Sequence, residues 1–497
     1  MASFLVALDG RGSLLWVACG MLAACVLIAL ALVSFVPGRT RDRWKSRAWS
    51  RLLLADGFFL AFAIGALWAL RLPTLSQLEL NPDECGLILG ARTLLHDPRF
   101  WLSFENTTLG PLSTFSLVPI GLLGFPIDFT TIKIAGLFIW SAVLALVFLG
   151  MRRLYPGMWA RLFSLPVIVT IAAMSYWDYV AFNGEHMAVL MLACAFYLHA
   201  SLLRDDRQVR PVRAMLLGVA LALVPLAKIQ PGPIAFVWGV FACVHSFIYC
   251  RRRVWFLCAG AGIPVCLLAL YLGLSGAFHD FWESYILNNL LYASDGWNAT
   301  QQNMTLWRNA LQSPLYFLKI RDTRGLFFFC AFLLFCAAAL AAGSPRFRGR
   351  LITTDVALGL SLTVAASVCV LMPKNNWTHY LLLLLVPVAM LIASVLAAFF
   401  DQAGERRLDI HIDLRGPDTS WTVRGNVFLA VVVAIFGVLA PASYAMMRGH
   451  PANRTARKNL EAGHTTRPVT AAILRHAKPG EPVAHWGVRF EDLTRAG

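Results

Sequence analysis

Almost uninterrupted apolar runs of about 20 residues recur along this chain, and they decide its solvent before any motif is considered. Ser13 to Val36, Leu52 to Leu72 and Leu381 to Phe400 each match the hydrocarbon thickness of a bilayer at ~1.5 Å per helical residue. A soluble helix is apolar on one face only, so these runs read as membrane crossings. Composition agrees, because 58% of the 497 residues are hydrophobic and only 14% charged.

The net charge of +16 could suggest nucleic acid, but Lys and Arg gather in short loops between apolar runs. There they orient the chain and meet anionic headgroups, so no nucleic-acid partner is expected. The basic stretch Arg39 to Arg47, with Arg51 beyond it, faces the cytoplasm by the positive-inside rule and puts the N-terminus outside. The first apolar run is long and is followed by these basic residues rather than by a cleavage site, which makes it a retained anchor. The Arg152-Arg153 pair with Arg161, and the clusters at 204–213, 251–253, 346–350 and 406–424, all fall inside if further spans lie near 131–150, 162–176, 180–202, 214–231, 233–250, 254–274, 326–343, 351–372, 379–400 and 425–446. A crossing at Pro111 to Phe125 would break that parity, so this element is juxtamembrane or re-entrant.

The expected fold is thus an all-α polytopic membrane protein of about 12 transmembrane helices. It divides into an extra N-terminal helix with its basic loop (1–51), a main transmembrane domain (52–446) with outer loops 73–130 and 275–325, and a small C-terminal soluble segment (447–497). Of the 11 cysteines only Cys85 sits in an outer loop, so no disulfide framework is expected.

Polar residues that could carry chemistry collect at the outer ends of spans. Asp83 and Glu84 open a stretch whose Leu87, Ile88, Ala91, Leu94 and Leu95 recur at helical spacing, which predicts an amphipathic helix on the membrane. Capping alone also accounts for the acids, with Asn81 as N-cap, Pro82 at N1 and two carboxylates in the first turn. Asp178, Asn183, Glu185 and His186 fall in an outer turn, and Glu185 starts an otherwise apolar helix, where a carboxylate is expensive unless paired or used. Lys228 lies at an outer span end against the positive-inside pattern; phosphate is one partner for it, and snorkelling to ordinary lipid is the alternative. His279 to Tyr285 and Asn288-Asn289 make an aromatic and polar outer segment, and Lys374, Asn375, Asn376, His379 and Tyr380 a polar outer turn. Neither GxGxxG nor GxxxxGK[ST] occurs in a nucleotide-binding context, so an activated group on this face should come from lipid.

In this order the motifs resemble those of the GT-C glycosyltransferases, in the branch of protein O-mannosyltransferases, aminoarabinose transferases and rhizobial lipopolysaccharide core galacturonosyltransferases. The resemblance covers about residues 52–446 and rests on Pro82-Asp83-Glu84 with its helix, Leu109-Gly110-Pro111-Leu112, Asn183-Gly184-Glu185-His186, Gly218 to Lys228, Phe281 to Tyr292, and His379-Tyr380. It implies sugar transfer from a polyprenyl-phosphate donor to a hydroxyl of an envelope lipid, glycan or protein, usually with inversion, in a bacterial inner membrane with the site facing the periplasm. On that footing Asp83 is the expected general base and Lys228, helped by His379, the cation for the leaving phosphate. Glu84 and Glu185 position hydroxyls or share a divalent metal, Mg or Mn. His186, Asn289 and Tyr380 join the donor site, and Asp178 joins Asp83 and Glu84 if a metal is held. No cofactor is firmly implied. A transporter or flippase for a lipid-linked substrate, or an assembly partner without catalysis, is the competing reading.

Overall fold

A backbone inside a bilayer must satisfy its own hydrogen bonds, and helices do so locally. The computed structural model describes residues 47–75, 81–106, 108–155, 157–174, 176–204, 209–295, 305–319 and 353–404, and these form helices with two isolated bridges and no strand. Six helices among them are long and apolar enough to cross a membrane, and shorter apolar helices accompany them. The protein is an integral membrane protein. The expected first span, those near 326–343 and 425–446, and the tail from 447 lie outside the described residues, so the count of about 12 has no test within them.

The order is α1 (Arg47–Arg71), α2 (Pro82–His96), the short α3 (Pro111–Phe115) and α4 (Val118–Leu122), then α5 (Phe129–Leu154) and α6 (Gly157–Ala173). A turn of helix α7 (Trp177–Val180) leads into α8 (Glu185–Arg204), α9 (Pro211–Ala227), α10 (Gly232–Tyr249) and α11 (Arg251–Ser275). Next come a π-helix (Phe281–Leu287), α12 (Asn288–Asp295) and α13 (Leu306–Leu318), before α14 (Thr354–Leu371), a 3-10 turn (Thr378–Leu384) and α15 (Leu385–Gly404).

Each start and stop has a local cause. Asp128 caps α5 by a capping box with Thr131, and α2 is capped by the Asn81 side chain, which accepts from the Asp83 amide. The expected element at 111–125 does not cross but folds as two five-residue turns, each with Pro in its first turn. The helix predicted to lie on the membrane buries its Cys85, Leu87, Ile88 and Ala91 against Leu109, Ile132 and Phe182, so its apolar face docks on protein rather than on lipid.

Helix α10 shows how the bundle meets its solvent. Phe236, Val240, Val244 and Phe247 form one exposed stripe, while Ile234, Ala235, Trp238 and Ala242 are buried on the other side. Small residues bring α9 and α11 together, for a methyl on Gly218 would stand 2.1 Å from the Leu257 carbonyl oxygen and one on Gly260 1.9 Å from that of Met215. At one end of the bundle Asp56 of α1 pairs with Arg152 of α5 at 2.7 Å and Arg161 of α6 at 2.9 Å. The other ends of α5, α8 and α9 carry the polar cluster described next.

Candidate active site

Two consecutive acids on a helix are rotated about 100° apart, so Asp83 and Glu84 cannot serve one site equally. The structure separates them. Glu84 is fully buried, its Oε1 accepting from the Phe182 amide at 3.1 Å and standing 3.5 Å from Lys133 Nζ. The Glu84 carboxylate thus ties α2 to α5 and the α7–α8 turn, outside the group that holds Asp83. Lys133→Ala leaves that carboxylate buried without its ammonium, which should destabilise the protein by about 3–5 kcal/mol. Thermal unfolding in detergent measures it, and Lys133→Met with Glu84→Gln should recover most of the loss.

Asp83 belongs to a different group. Its carboxylate, that of Glu185 at the first turn of α8, and the His379 imidazole each offer a ligand atom, all within 4.8 Å of one another. Lys228 reaches the same place. Its ammonium is 2.6 Å from Glu185 Oε1 and 4.8 Å above the Tyr380 ring. His379 Nε2 stands 3.9 Å from Glu185 Oε1, while Nδ1 lies 2.9 Å from Asp178 Oδ1. Asp178 holds this histidine twice, accepting also from its amide at 3.0 Å, and is itself held by the Asn81 amide group at 2.6 Å. Asp178 stands behind His379, and among the described residues the three-residue set that could hold a divalent ion is Asp83, Glu185 and His379, which includes the expected Asp83 and Glu185 and leaves out Glu84 and Asp178.

The electrostatics follow from this crowding. Burial, with Glu185 and Asp178 nearby, pushes the Asp83 carboxyl above the usual carboxylate range despite the opposing pull of Lys228 and His379. Burial would raise Asp178 too, but the charge and hydrogen bonds of His379 hold it below that range. Glu185 is fully buried, and its Oε2 has no hydrogen-bond partner among the described residues, which leaves that oxygen able to accept from a hydroxyl or an ammonium or to ligate a metal. Two carboxylates and an imidazole fit a divalent cation, with the Lys228 ammonium already competing for Glu185.

The helix end that delivers Lys228 is shorter than the expected span to 231. Helix α9 stops at Ala227, Lys228 turns extended, and it bridges to Leu109 in the first outer loop. His186 is not in the cluster, because its Nδ1 is spent on Asn183 and its ring packs on Trp140 and Phe182. Asn289 donates to the Tyr285 carbonyl of the preceding π-helix, and from that segment Tyr292 comes near instead. The Tyr292 hydroxyl accepts from Trp377 at 2.8 Å and hydrogen-bonds Tyr380. Tyr292 and Trp377 had no sequence signal beyond their place in aromatic outer segments; Lys133 had one, being a lone cation in the outer turn of a span just as Lys228 is.

No protein-family model and no curated protein matches this sequence. Solved structures do. The crystal structure of ArnT from Cupriavidus metallidurans bound to undecaprenyl phosphate superposes with a TM-score of 0.56 at 12% identity, over 88% of this chain and 83% of that one. The same protein in its apo state gives a TM-score of 0.52 at 14% identity, over 90% and 85%. The chain shares the overall fold of that protein.

Proposed function

We propose that this chain, carrying the GT-C fold, transfers a sugar from a polyprenyl-phosphate donor to an acceptor hydroxyl, with inversion, at the extracytoplasmic face of a bacterial inner membrane. The observation that carries the reading is the meeting of Asp83, Glu185 and His379 within 4.8 Å, beside an ammonium 2.6 Å from Glu185. One end of that cluster can accept a proton and the other can neutralise a phosphate. A transporter is less well served, since these charges gather at helix ends rather than along a path between them.

Asp83 takes the proton of the acceptor hydroxyl as its oxygen forms the new bond to the anomeric carbon. The bond from that carbon to the phosphate oxygen breaks, and its electron pair leaves with the lipid phosphate. Lys228 stabilises that growing charge, with His379 beside it and Asp178 fixing the orientation of the ring. Glu185 Oε2 accepts from a sugar or acceptor hydroxyl. A divalent ion held by Asp83, Glu185 and His379 would add positive charge next to the leaving phosphate.

Purified protein in nanodiscs, supplied with radiolabelled polyprenyl-phosphate sugars and candidate lipid, glycan or peptide acceptors, tests this directly. Label should move to an acceptor with release of polyprenyl phosphate; transport of intact donor without cleavage would refute it. Because Asp83 must be ionised to act and its carboxyl is shifted upward, kcat/KM should fall with decreasing pH through a midpoint above the usual carboxylate range. A flat profile down to that range would remove Asp83 as the base.

A further inference from the structure

The last carbonyls of an α-helix have no partner within it, and what captures them fixes the residues that follow. In α9 those carbonyls lie immediately before Lys228. The amide of Lys228 itself takes the Val224 carbonyl, and those of Pro225 and Ala227 are taken from outside. Tyr285 donates its hydroxyl to the Pro225 carbonyl at 2.5 Å. Gly110 donates its amide to the Ala227 carbonyl at 2.9 Å, and Ser113 its hydroxyl to the same oxygen at 3.0 Å. The fit is close, since a methyl on Gly110 would stand 2.1 Å from the Leu226 oxygen and 2.5 Å from the Tyr285 hydroxyl.

Tyr285 comes from the far side of this junction. It sits in the π-helix, whose wider turns are rare and place side chains out of α-helical register. Its ring is buried beside Trp101, a non-glycine residue at φ 71° whose indole packs on Phe281 at 4.9 Å. A left-handed tryptophan is uncommon and costs strain that the surrounding packing must offset. The segment of Tyr285 and the loop of Trp101 and Gly110 are thereby joined to each other and then to Pro225 and Ala227, just ahead of Lys228.

We propose that Tyr285 is a positioning residue for transfer: its hydroxyl, with Ser113 and the Gly110 amide, holds the end of α9 so that the Lys228 ammonium meets the leaving phosphate. The proposal rests on the role given to Lys228 above. It also gives the outer segment a way to act on chemistry without touching the reacting atoms, through a single phenol that reads the placement of the π-helix.

The test is a double-mutant cycle in the full-length protein. Tyr285→Phe should lower kcat by about ten- to a hundredfold with a smaller rise in donor KM and little change in Tm, because a misplacement near 1 Å is enough for such a loss. In a Lys228→Gln, Glu185→Gln background, which removes both charges together, the same substitution should change the residual rate by less than about twofold. An equal proportional loss in both backgrounds, or a wild-type kcat for Tyr285→Phe, overturns the proposal. Full activity in the Lys228→Gln, Glu185→Gln variant would instead refute the role of Lys228, whatever Tyr285 does. If Tyr285→Phe lowers Tm by many degrees, Ser113→Ala is read in the same two backgrounds, with the same outcomes deciding.

Discussion

Asp83→Asn should lower transfer by about 10²- to 10⁴-fold while leaving the affinity for polyprenyl phosphate nearly unchanged. The substitution keeps the shape of the side chain and removes its ability to take a proton. The helix start survives, because the bond that caps it runs from the Asp83 backbone amide to Asn81 Oδ1 at 2.9 Å and does not involve the Asp83 carboxylate. Stability should hold or rise. The folded state disfavours the ionised form of Asp83, through burial and the neighbouring Glu185 and Asp178, so a neutral amide relieves that unfavourable contact. Single-turnover transfer, lipid binding and Tm on one preparation check all three parts. Full transfer in this variant would remove the base from the account.

Lys228→Gln should differ in its effects on binding and stability. Loss of the ammonium should reduce transfer by about 10²- to 10³-fold and weaken binding of polyprenyl phosphate as well, because the same charge serves ground state and transition state. It should also destabilise the fold by about 3–5 kcal/mol, since Glu185 would remain buried with its nearest cation gone. Adding Glu185→Gln should restore most of the stability and little of the transfer. That split separates the structural part of the Lys228–Glu185 pair from its catalytic part, and a double variant that regained transfer would contradict the assignment.

The bilayer made much of this architecture legible. Apolar run length and the position of Arg clusters placed the described spans to within a few residues, as at Phe129–Leu154 and Gly232–Tyr249, because lipid permits so few alternatives. Lys228, Glu185 and His379 could be picked out by one physical rule, that a polar side chain at the edge of an apolar helix needs a reason, and they do come together. The rule says nothing about direction. It could not show that Glu84 turns to Lys133, or that His186, one residue past Glu185, faces Trp140 instead of the cluster. Nor could it reveal partners that depend on loops returning from far away, such as Asn81 to Asp178 or Tyr292 to Trp377. Contacts across 97 and 85 residues are set by tertiary packing.

The early end of α9 has the same origin. Apolar composition resumes at Ile229 after the single Lys228, so hydropathy carries the span onward, yet the Pro225 and Ala227 carbonyls are captured by Tyr285, Gly110 and Ser113 and the helix ends at Ala227. A shorter helix is what turns Lys228 toward Glu185.

A cryo-electron-microscopy structure of the protein with polyprenyl phosphate bound is the most direct test. The phosphate should lie at hydrogen-bond distance, about 2.8 Å, from Lys228 Nζ and on the Asp83 side of the bundle. A phosphate held at the Asp56 end, or beside Asp83 with Lys228 still engaged only by Glu185, would contradict the division of labour on which the account stands.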